Sequence, residues 1–548
     1  MNDTAGLLSH RPDFDAVIVG AGFAGLYMLH RLREAGFTAR VFEAGDGVGG
    51  TWYWNRYPGA RCDIESVDYS YSFSPELEQE WQWTERYPRQ PEILAYLNHV
   101  ADRFDLRRDI RLETRVTLAH FDEAAGLWRI ETDRGDRCTA RYCVMATGCL
   151  SVPKAPDLPG VERFAGATYL TGAWPKDEVD FSGLRVGVIG TGSTAIQVIP
   201  QVARQAKHLT VFQRTANFSV PARNGPLAAD ELQRIKAGYR ERREQSRRSL
   251  FGIPVALPDA PRRTRDIPPA ELDRQLEALW AQGGAMSLLA AAPDILVDAE
   301  ANARVAEFVR RKIRATVQDP EVAERLCPNT HPLGTKRLCL DSEYYETFNR
   351  ANVTLVDLRA TPIETLTPHG VRTSASEYPL DAIIFATGFD AMTGALLAID
   401  IRGRAGRRLR DAWADGPHTY LGLASAGFPN LFLITGPHSP SVFTNMVPSI
   451  EQHVDWIADC LDYLRAHRIA RIEASASAQA AWEAHVAAVA DATLMPQADS
   501  WYLGANVPGK PRTFMAYLGG LGPYRQRCDQ VAAEGYAGFE LTPAPTTA

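Results

Sequence analysis

The sequence predicts an α/β fold of two Rossmann-like units, the second inserted into the first and itself carrying a helical insertion. Three observations predict it. A strand–glycine loop–helix–strand pattern opens the chain at residues 14–43 and returns at 184–213. Two apolar runs, VMATG (144–148) and IIFATGFD (383–390), both pass through Ala-Thr-Gly, as strands at which a chain leaves one unit and later rejoins it. Between them, residues 226 to about 330 change character. Stretches such as DELQRIKAGYRERREQSRRSL show helical spacing with heavy charge and read as a solvated insertion covering part of the second unit. A chain of 548 residues is too long for one core. The boundaries read as 1–149 and 384–548 for the first unit, 150–225 and 331–383 for the second, and 226–330 for the insertion.

The first unit begins with FDAVIVG (14–20), a short β-branched strand, followed by Gly20-Ala21-Gly22-Phe23-Ala24-Gly25. LYMLHRLREAG then has helical periodicity and stops at Gly36, and TARVFEAG is the next strand. Gly20 allows the tight turn, Gly22 lets the backbone approach a pyrophosphate, and Gly25 lets helix and strand pack closely. Glu43 ends the second strand, where a carboxylate accepts a hydrogen bond from a free ribose 2′-hydroxyl. That is a dinucleotide site of the kind FAD requires.

The second unit repeats the scheme. LRVGVIG (184–190) leads into Gly190-Thr191-Gly192-Ser193-Thr194-Ala195, the helix IQVIPQVARQA and the strand HLTVFQRT. At the position of Glu43 stands Gln213, with Arg214 next. A carboxylate would repel a ribose 2′-phosphate, whereas an arginine pairs with it, so this site reads as NADP(H). Both units read as open parallel sheets with ligands at the carboxyl ends of the strands.

Composition narrows the partners. A net charge of −7, with 45% hydrophobic and 23% charged residues, argues against nucleic acid or a polybasic membrane contact. No signal peptide and no membrane span are expected, which points to the cytoplasm. Eight scattered cysteines make neither a disulfide framework nor a CxxC zinc site, and no metal is expected. CTARYC (138–143) has the C-x4-C spacing of a redox pair. On a strand, however, five residues at about 3.3 Å each hold the two Cα atoms roughly 16 Å apart, on opposite faces. The last residues, 540–548, read as disordered.

Residues 49–63, GGTWYWNRYPGARCD, crowd two Trp, two Tyr, two Arg, one Pro and three Gly into a loop. Six residues after Glu43, this loop is placed to run along a flavin. Trp52 and Trp54 can wall the ring off from water, and Asp63 can hydrogen-bond inside the site. The stretch matches the long fingerprint of the type I Baeyer–Villiger monooxygenases. With RCDIES (61–66), VGVIGTGS (186–193), VFQRT (211–215), GTKRL (334–338), ATGFDAMTGAL (386–396), SIEQHVDW (449–456) and SWYLGANVPGKPR (500–512), the chain resembles that family from about residue 14 to about 540.

The resemblance implies FAD and NADPH as cofactors, with O2 and a small-molecule ketone as substrates. The ketone becomes an ester or lactone through a flavin C4a-peroxide. It implies Arg337 as the fixed cation beside that anion and Asp63 as its orienting partner. Lys336, Arg214 and Thr215 would hold the 2′-phosphate; Gly190, Thr191, Gly192, Ser193, Thr194 and Gln197 would hold the rest of NADPH. Thr51, Tyr69, Val116 and Met446 would contact FAD, and Trp501 would be a lid over NADP(H). HSPSVFTNM (438–446) corresponds to an active-site bulge, with Ser441, Val442 and Phe443 beside the substrate. Phe443 is bulkier than the leucine expected there, and His438 replaces a glycine. A monomer is the family default.

One fingerprint is broken. Phe-x-Gly-x-x-x-His-x-x-x-Trp-Pro reads FAGATYLTGAWP (164–175), with Leu170 in the place of the histidine. Altered coupling between the units is expected, without loss of the chemistry. Two rival functions fit the same cofactors. One is a flavin monooxygenase acting on sulfur or nitrogen, which has no need of Arg337. The other is an NADPH-binding redox sensor without turnover, favoured by Leu170 alone.

Overall fold

The structure, a computed structural model, describes residues 11–254 and 261–544, apart from the side chains of Ala285 and Ser287. Strands are numbered along the chain. The first sheet collects β1 Phe14–Val19, β2 Ala39–Phe42, β3 Ile110–Arg111, β4 Val116–Asp122, β5 Leu127–Thr132 and β6 Arg137–Met145. β17 Asp400–Arg402 and β18 Leu431–Leu433 complete it from far along the chain. Its order is β17-β4-β5-β6-β1-β2-β3, with β18 also on β6. The part that carries the glycine loop is parallel. The sequence predicts a wholly parallel sheet, but β4, β5 and β6 form an antiparallel meander. Their connections turn through Gly126 and Gly135, both at positive φ, and are too short for a crossover helix.

The second sheet contains β7 Ala167–Leu170, β8 Arg185–Ile189, β9 His208–Gln213, β12 Val353–Asp357 and β16 Ala382–Phe385. It is parallel throughout, in the order β12-β9-β8-β16-β7. All of it lies in sequence between β6 and β17, so the second unit interrupts the first. β10 Ser219–Pro221 and β11 Cys339–Asp341 pair parallel and bring the two ends of the helical insertion together. β13 Ile363–Thr367, β14 Gly370–Thr373 and β15 Glu377–Pro379 form a small antiparallel sheet.

The helix Phe23–Glu34 follows β1 and buries Leu26, Leu29 and Leu32; the helix Ser193–Gln205 follows β8 and buries Ile196, Ile199 and Val202. Each apolar stripe sits at helical spacing over its sheet, which is why the same pattern folds the same way twice.

The insertion does more than cover the second unit. Its later helices, Pro269–Gln282, Ala299–Thr316 and Pro320–Leu326, do bury Leu276, Val305, Phe308 and Leu326 in one core with Val186, Val188 and Ile199. Its first two, Ala229–Ala237 and Tyr239–Arg248, instead dock on the first unit. Arg242 pairs with Asp68 at 2.5 Å and with Glu65 at 3.2 Å; Arg243 pairs with Glu78 at 2.7 Å, both side chains under 10% exposed. The charge that reads as a solvated face is partly an interface, because buried arginines need carboxylates opposite them.

Residues 540–543 also depart from expectation. They lie in β20 Phe539–Pro543, antiparallel to β19 Ile469–Ala474, because an edge strand was available to pair with; residues 545–548 lie outside the described residues. All eight cysteines are free thiols, and Cys138 and Cys143 both lie on β6. Among the described residues no helix is long and apolar enough to cross a membrane.

Candidate functional site

The two glycine loops are built alike in detail. Gly20 has φ +105° and Gly190 has φ +118°. A Cβ on Gly20 would lie 2.6 Å from the carbonyl oxygen of Ala146; one on Gly190 would lie 2.6 Å from that of Ala386. The two Ala-Thr-Gly segments therefore press an alanine carbonyl against each first glycine, which explains why they recur. A Cβ on Gly25 would sit 1.8 Å from the oxygen of Gly20, so helix and loop touch through bare backbone. At Gly192 an added Cβ meets nothing within 4 Å. Neither helix has a side-chain cap on its N-terminus, which leaves first-turn N–H groups for a phosphate.

Glu43 is buried just past β2. Its two oxygens accept the N–H of Ala21 at 2.7 Å and of Gly45 at 2.8 Å. Burial pushes its carboxyl up, and those N–H groups pull it back. Each oxygen keeps a lone pair for a ribose hydroxyl. Gln213, in the equivalent place, donates to the Arg325 carbonyl at 2.6 Å, and its own side-chain oxygen has no partner. Arg214 projects beyond β9, exposed. Lys336 is partly buried; burial and then the charge of Arg214 disfavour its ammonium. Uncapped helix ends, a glycine with open space and unbalanced cations fit two bound dinucleotides, the second with a 2′-phosphate.

Other residues expected at the second nucleotide are occupied differently. The Thr191 hydroxyl donates to the Thr215 carbonyl at 2.7 Å, and Ser193 Oγ lies 2.8 Å from Cys339 Sγ. Gln197 spends its amide on the first unit: its oxygen accepts from Tyr57 Oη at 2.8 Å, and its nitrogen donates to the Arg61 carbonyl at 3.1 Å. Thr194 also faces Tyr57. The aromatic loop therefore lies against both units. Within it, Thr51–Trp54 forms one helical turn where a loop is expected. Trp52 is buried and donates from Nε1 to Tyr69 Oη at 3.2 Å, while Trp54 is half-buried and packs edge-on to Tyr53. Thr51 is exposed at the start of the turn, Val116 lies in the apolar cluster with Val19 and Phe42, and Met446 begins the helix Met446–Ala466.

Asp63 closes that loop and meets Arg337 across 274 residues of sequence. Arg337 Nε donates to Asp63 Oδ2 at 3.2 Å, and its Nη1 donates to the Val442 carbonyl at 3.4 Å. Burial pushes the Asp63 carboxyl up while Arg337 draws it down. Burial likewise opposes the Arg337 charge, but Asp63 outweighs it and holds the guanidinium protonated. The other oxygen, Oδ1, is buried without a partner. One permanent cation is thus anchored from below and tied to the bulge above it.

The bulge is strained backbone held by polar contacts. His438 and Ser441 adopt positive φ, +68° and +39°. That is why a glycine is expected at 438. His438 is buried, bonds Thr419 Oγ1 through Nδ1 at 3.1 Å, and is pushed down to about 4 by burial, so it stays neutral. Cys149 Sγ lies 3.1 Å from Ser441 Oγ. Phe443 packs on Phe251 with ring centroids 5.6 Å apart.

Some residues escape sequence reasoning. Tyr502 is buried beside Arg337 and stacks on Trp501, centroids 4.1 Å apart. Cys149 supports the bulge from the loop after β6 with no motif of its own. Leu170 ends β7 and packs, partly buried, against the apolar cluster of Phe164, Ile189, Phe212 and Phe385. The position where the fingerprint leads one to expect a histidine thus makes an apolar contact in the second unit.

The chain is similar to known proteins over nearly its whole length. A family model described as pyridine nucleotide-disulphide oxidoreductase matches residues 17–249. A Baeyer–Villiger monooxygenase of Pseudooceanicola batsensis is 45% identical over 527 residues, 96% of this chain and 95% of the relative. An oxidized steroid monooxygenase bound to NADP is 53% identical, with a TM-score of 0.93 over 97% of this chain and 100% of that one. OTEMO, solved in complex with FAD and NADP, is 41% identical, with a TM-score of 0.94 over 97% of this chain and 100% of that one.

Proposed function

This chain belongs to the Baeyer–Villiger monooxygenases, and from that premise we propose which of its residues carry the reaction. The enzyme is an FAD-containing, NADPH-dependent monooxygenase that converts a ketone to an ester or lactone. Bound FAD, reduced by NADPH, supplies the activation of O2. The protein supplies position, charge and dryness.

Arg337 holds a fixed positive charge where negative charge develops on the reacting oxygen atoms. A guanidinium never gives up its proton at working pH, so it stabilises an anion without protonating it. Asp63 keeps the Arg337 side chain aimed, and the Val442 carbonyl ties it to the bulge against which the ketone lies, beside Ser441 and Phe443. Trp52 and Trp54 wall the flavin from water, with Tyr69 holding the Trp52 indole. Gly20, Gly22, Gly25 and Glu43 hold FAD, with Thr51, Val116 and Met446 along its length. Gly190, Gly192 and the uncapped helix start at Ser193 hold the NADPH pyrophosphate, and Arg214, Thr215 and Lys336 its 2′-phosphate. Trp501 closes over it. Residues 1–149 and 384–548 make the FAD domain, 150–225 and 331–383 the NADP domain, and 226–330 the insertion that bridges them.

The observation that carries this reading is the Asp63–Arg337–Val442 chain of contacts, which joins the FAD half, the NADP half and the bulge in one place. Its test is Arg337→Ala assayed on a ketone and on an aryl methyl sulfide. Ester formation is expected to fall at least about 100-fold while sulfoxidation retains a substantial fraction, because only the ketone reaction needs the fixed cation. Equal loss of both would mean that Arg337 serves the fold, and an unchanged ester yield would remove it from the chemistry.

A further inference from the structure

The carboxyl edge of the second sheet presents one cation more than its sequence motifs declare. β9 and β12 are neighbours in register, with Asp357 opposite Gln213, and the Leu358 N–H donates to the Gln213 carbonyl at 2.8 Å. The two chains therefore leave the sheet level with each other. Arg214 is the first residue past β9 and Arg359 the second past β12, so both stand at the edge where such sheets bind ligands.

Arg359 is anchored there. Its backbone N–H donates to Asp357 Oδ1 at 2.9 Å, and its side-chain Nε donates to the Arg214 carbonyl at 2.9 Å. Neither terminal nitrogen has a hydrogen-bond partner among the described residues, so the N–H groups of both remain for a ligand. The same guanidinium adds to the positive field at Lys336, after burial and Arg214. Among the described residues, none of Arg214, Lys336 and Arg359 makes an ion pair. Lys336 and Arg214 feel the charge of Asp499, beside the Trp501 segment, but Asp499 is itself held by Arg512 at 2.7 Å. Three cations gathered with no ion-paired carboxylate among the described residues repel one another unless an anion lies between them. A 2′-phosphate, with a charge of about −1.5 to −2, is an anion of that size.

We propose that Arg359 is a third ligand of the NADPH 2′-phosphate and a determinant of NADPH over NADH. It acts in two ways: its terminal nitrogens donate to the phosphate, and its Nε fixes the backbone of Arg214 so that this neighbour points the same way. The proposal rests on assigning the second glycine loop to NADP(H) and is independent of what the enzyme oxygenates.

The test is calorimetric titration of the FAD-loaded enzyme with NADP+ and with NAD+, for the parent and for Arg359→Gln and Arg359→Lys. Arg359→Gln is expected to raise the Kd for NADP+ about 5- to 20-fold, as for loss of a charge-assisted pair, and to leave NAD+ within about 2-fold. Arg359→Lys should recover part of the loss, since a lysine restores charge but cannot hold the Arg214 carbonyl and a phosphate together. The salt dependence of NADP+ binding should flatten in Arg359→Gln. Unchanged NADP+ affinity would overturn the proposal. So would equal weakening of NADP+ and NAD+, which would mark Arg359 as a structural support of the loop. Failure of ketone oxygenation would leave this titration readable, so the two readings fail separately.

Discussion

Replacing Asp63 by asparagine should uncouple NADPH oxidation from ester formation. The substitution keeps the size of the side chain and removes one charge beside Arg337. The two charges lie 3.2 Å apart, which at an effective dielectric of about 20 is an attraction of about 5 kcal/mol. That gross figure is too large to carry over. The Arg337 side chain keeps 36% of its exposure and is screened, and burying Asp63 costs part of the gain. Asparagine also retains a neutral hydrogen bond worth about 1 kcal/mol. A loss of about 1.5–2 kcal/mol in holding the guanidinium remains, or about 10- to 30-fold in kcat/KM for the ester. FAD content and the rate of flavin reduction by NADPH should stay within about 2-fold, because neither glycine loop is touched. The assay is moles of ester and of hydrogen peroxide per mole of NADPH consumed, with a saturating ketone. Ester should fall and peroxide should rise to match. If the ester-to-NADPH ratio of Asp63→Asn equals that of the parent, Asp63 does not orient Arg337 and the reasoning is refuted.

Two further outcomes follow from the glycine geometry and one from buried histidines. Gly192→Ala should fold normally, since its Cβ meets no protein atom, yet bind NADPH at least about 10-fold more weakly because the methyl takes the place of the approaching pyrophosphate. Gly25→Ala, whose Cβ would sit 1.8 Å from the Gly20 oxygen, should lose flavin and stability together, read by flavin absorbance and melting temperature. The acid limb of stability should depend on three buried histidines. Burial lowers His331 and His438 to about 4 and His453 to about 3. The unfolded chain takes up protons near pH 6.5, before the folded one does, so stability is whole above that pH and is lost as pH falls from about 6.5 toward 4. Each histidine contributes up to about 1.4 kcal/mol per pH unit in that window. His438→Asn, which tolerates the left-handed backbone at 438, should lower the steepness of unfolding free energy against pH by about that amount, measured by denaturant titration at pH 5 and 7.

Much of this was legible from local pattern alone. A strand, a glycine loop, a helix and an acid lie within thirty-odd residues, and their spacing is set by chain geometry, so the first site could be read from Gly20 to Glu43. The exchange of an acid for Gln213 and Arg214 is equally local, because one side chain decides whether a 2′-phosphate is repelled or held. The reading of charged helices as solvated failed at Arg242 and Arg243, whose partners Asp68 and Glu78 lie more than 160 residues away. Periodicity reports a face, not what covers it. The tail strand Phe539–Pro543 escaped for the same reason: its pairing depends on an edge supplied by Ile469–Ala474.

Two dinucleotide loops, the nucleotide each prefers, and the motif that holds Arg337 were all written in the order of the amino acids, because each is a matter of neighbours along the chain. What those parts do together was settled in three dimensions. Folding seated the Ala146 and Ala386 carbonyls on the two first glycines, drew Asp63 to Arg337 and Arg337 to Val442, spent Gln197 on the aromatic loop, laid Leu170 against an apolar cluster, and set Arg359 beside Arg214. Side-chain hydrogen bonds and ion pairs act over about 3 Å in space without regard to separation along the chain, so no spacing in the sequence could have announced them.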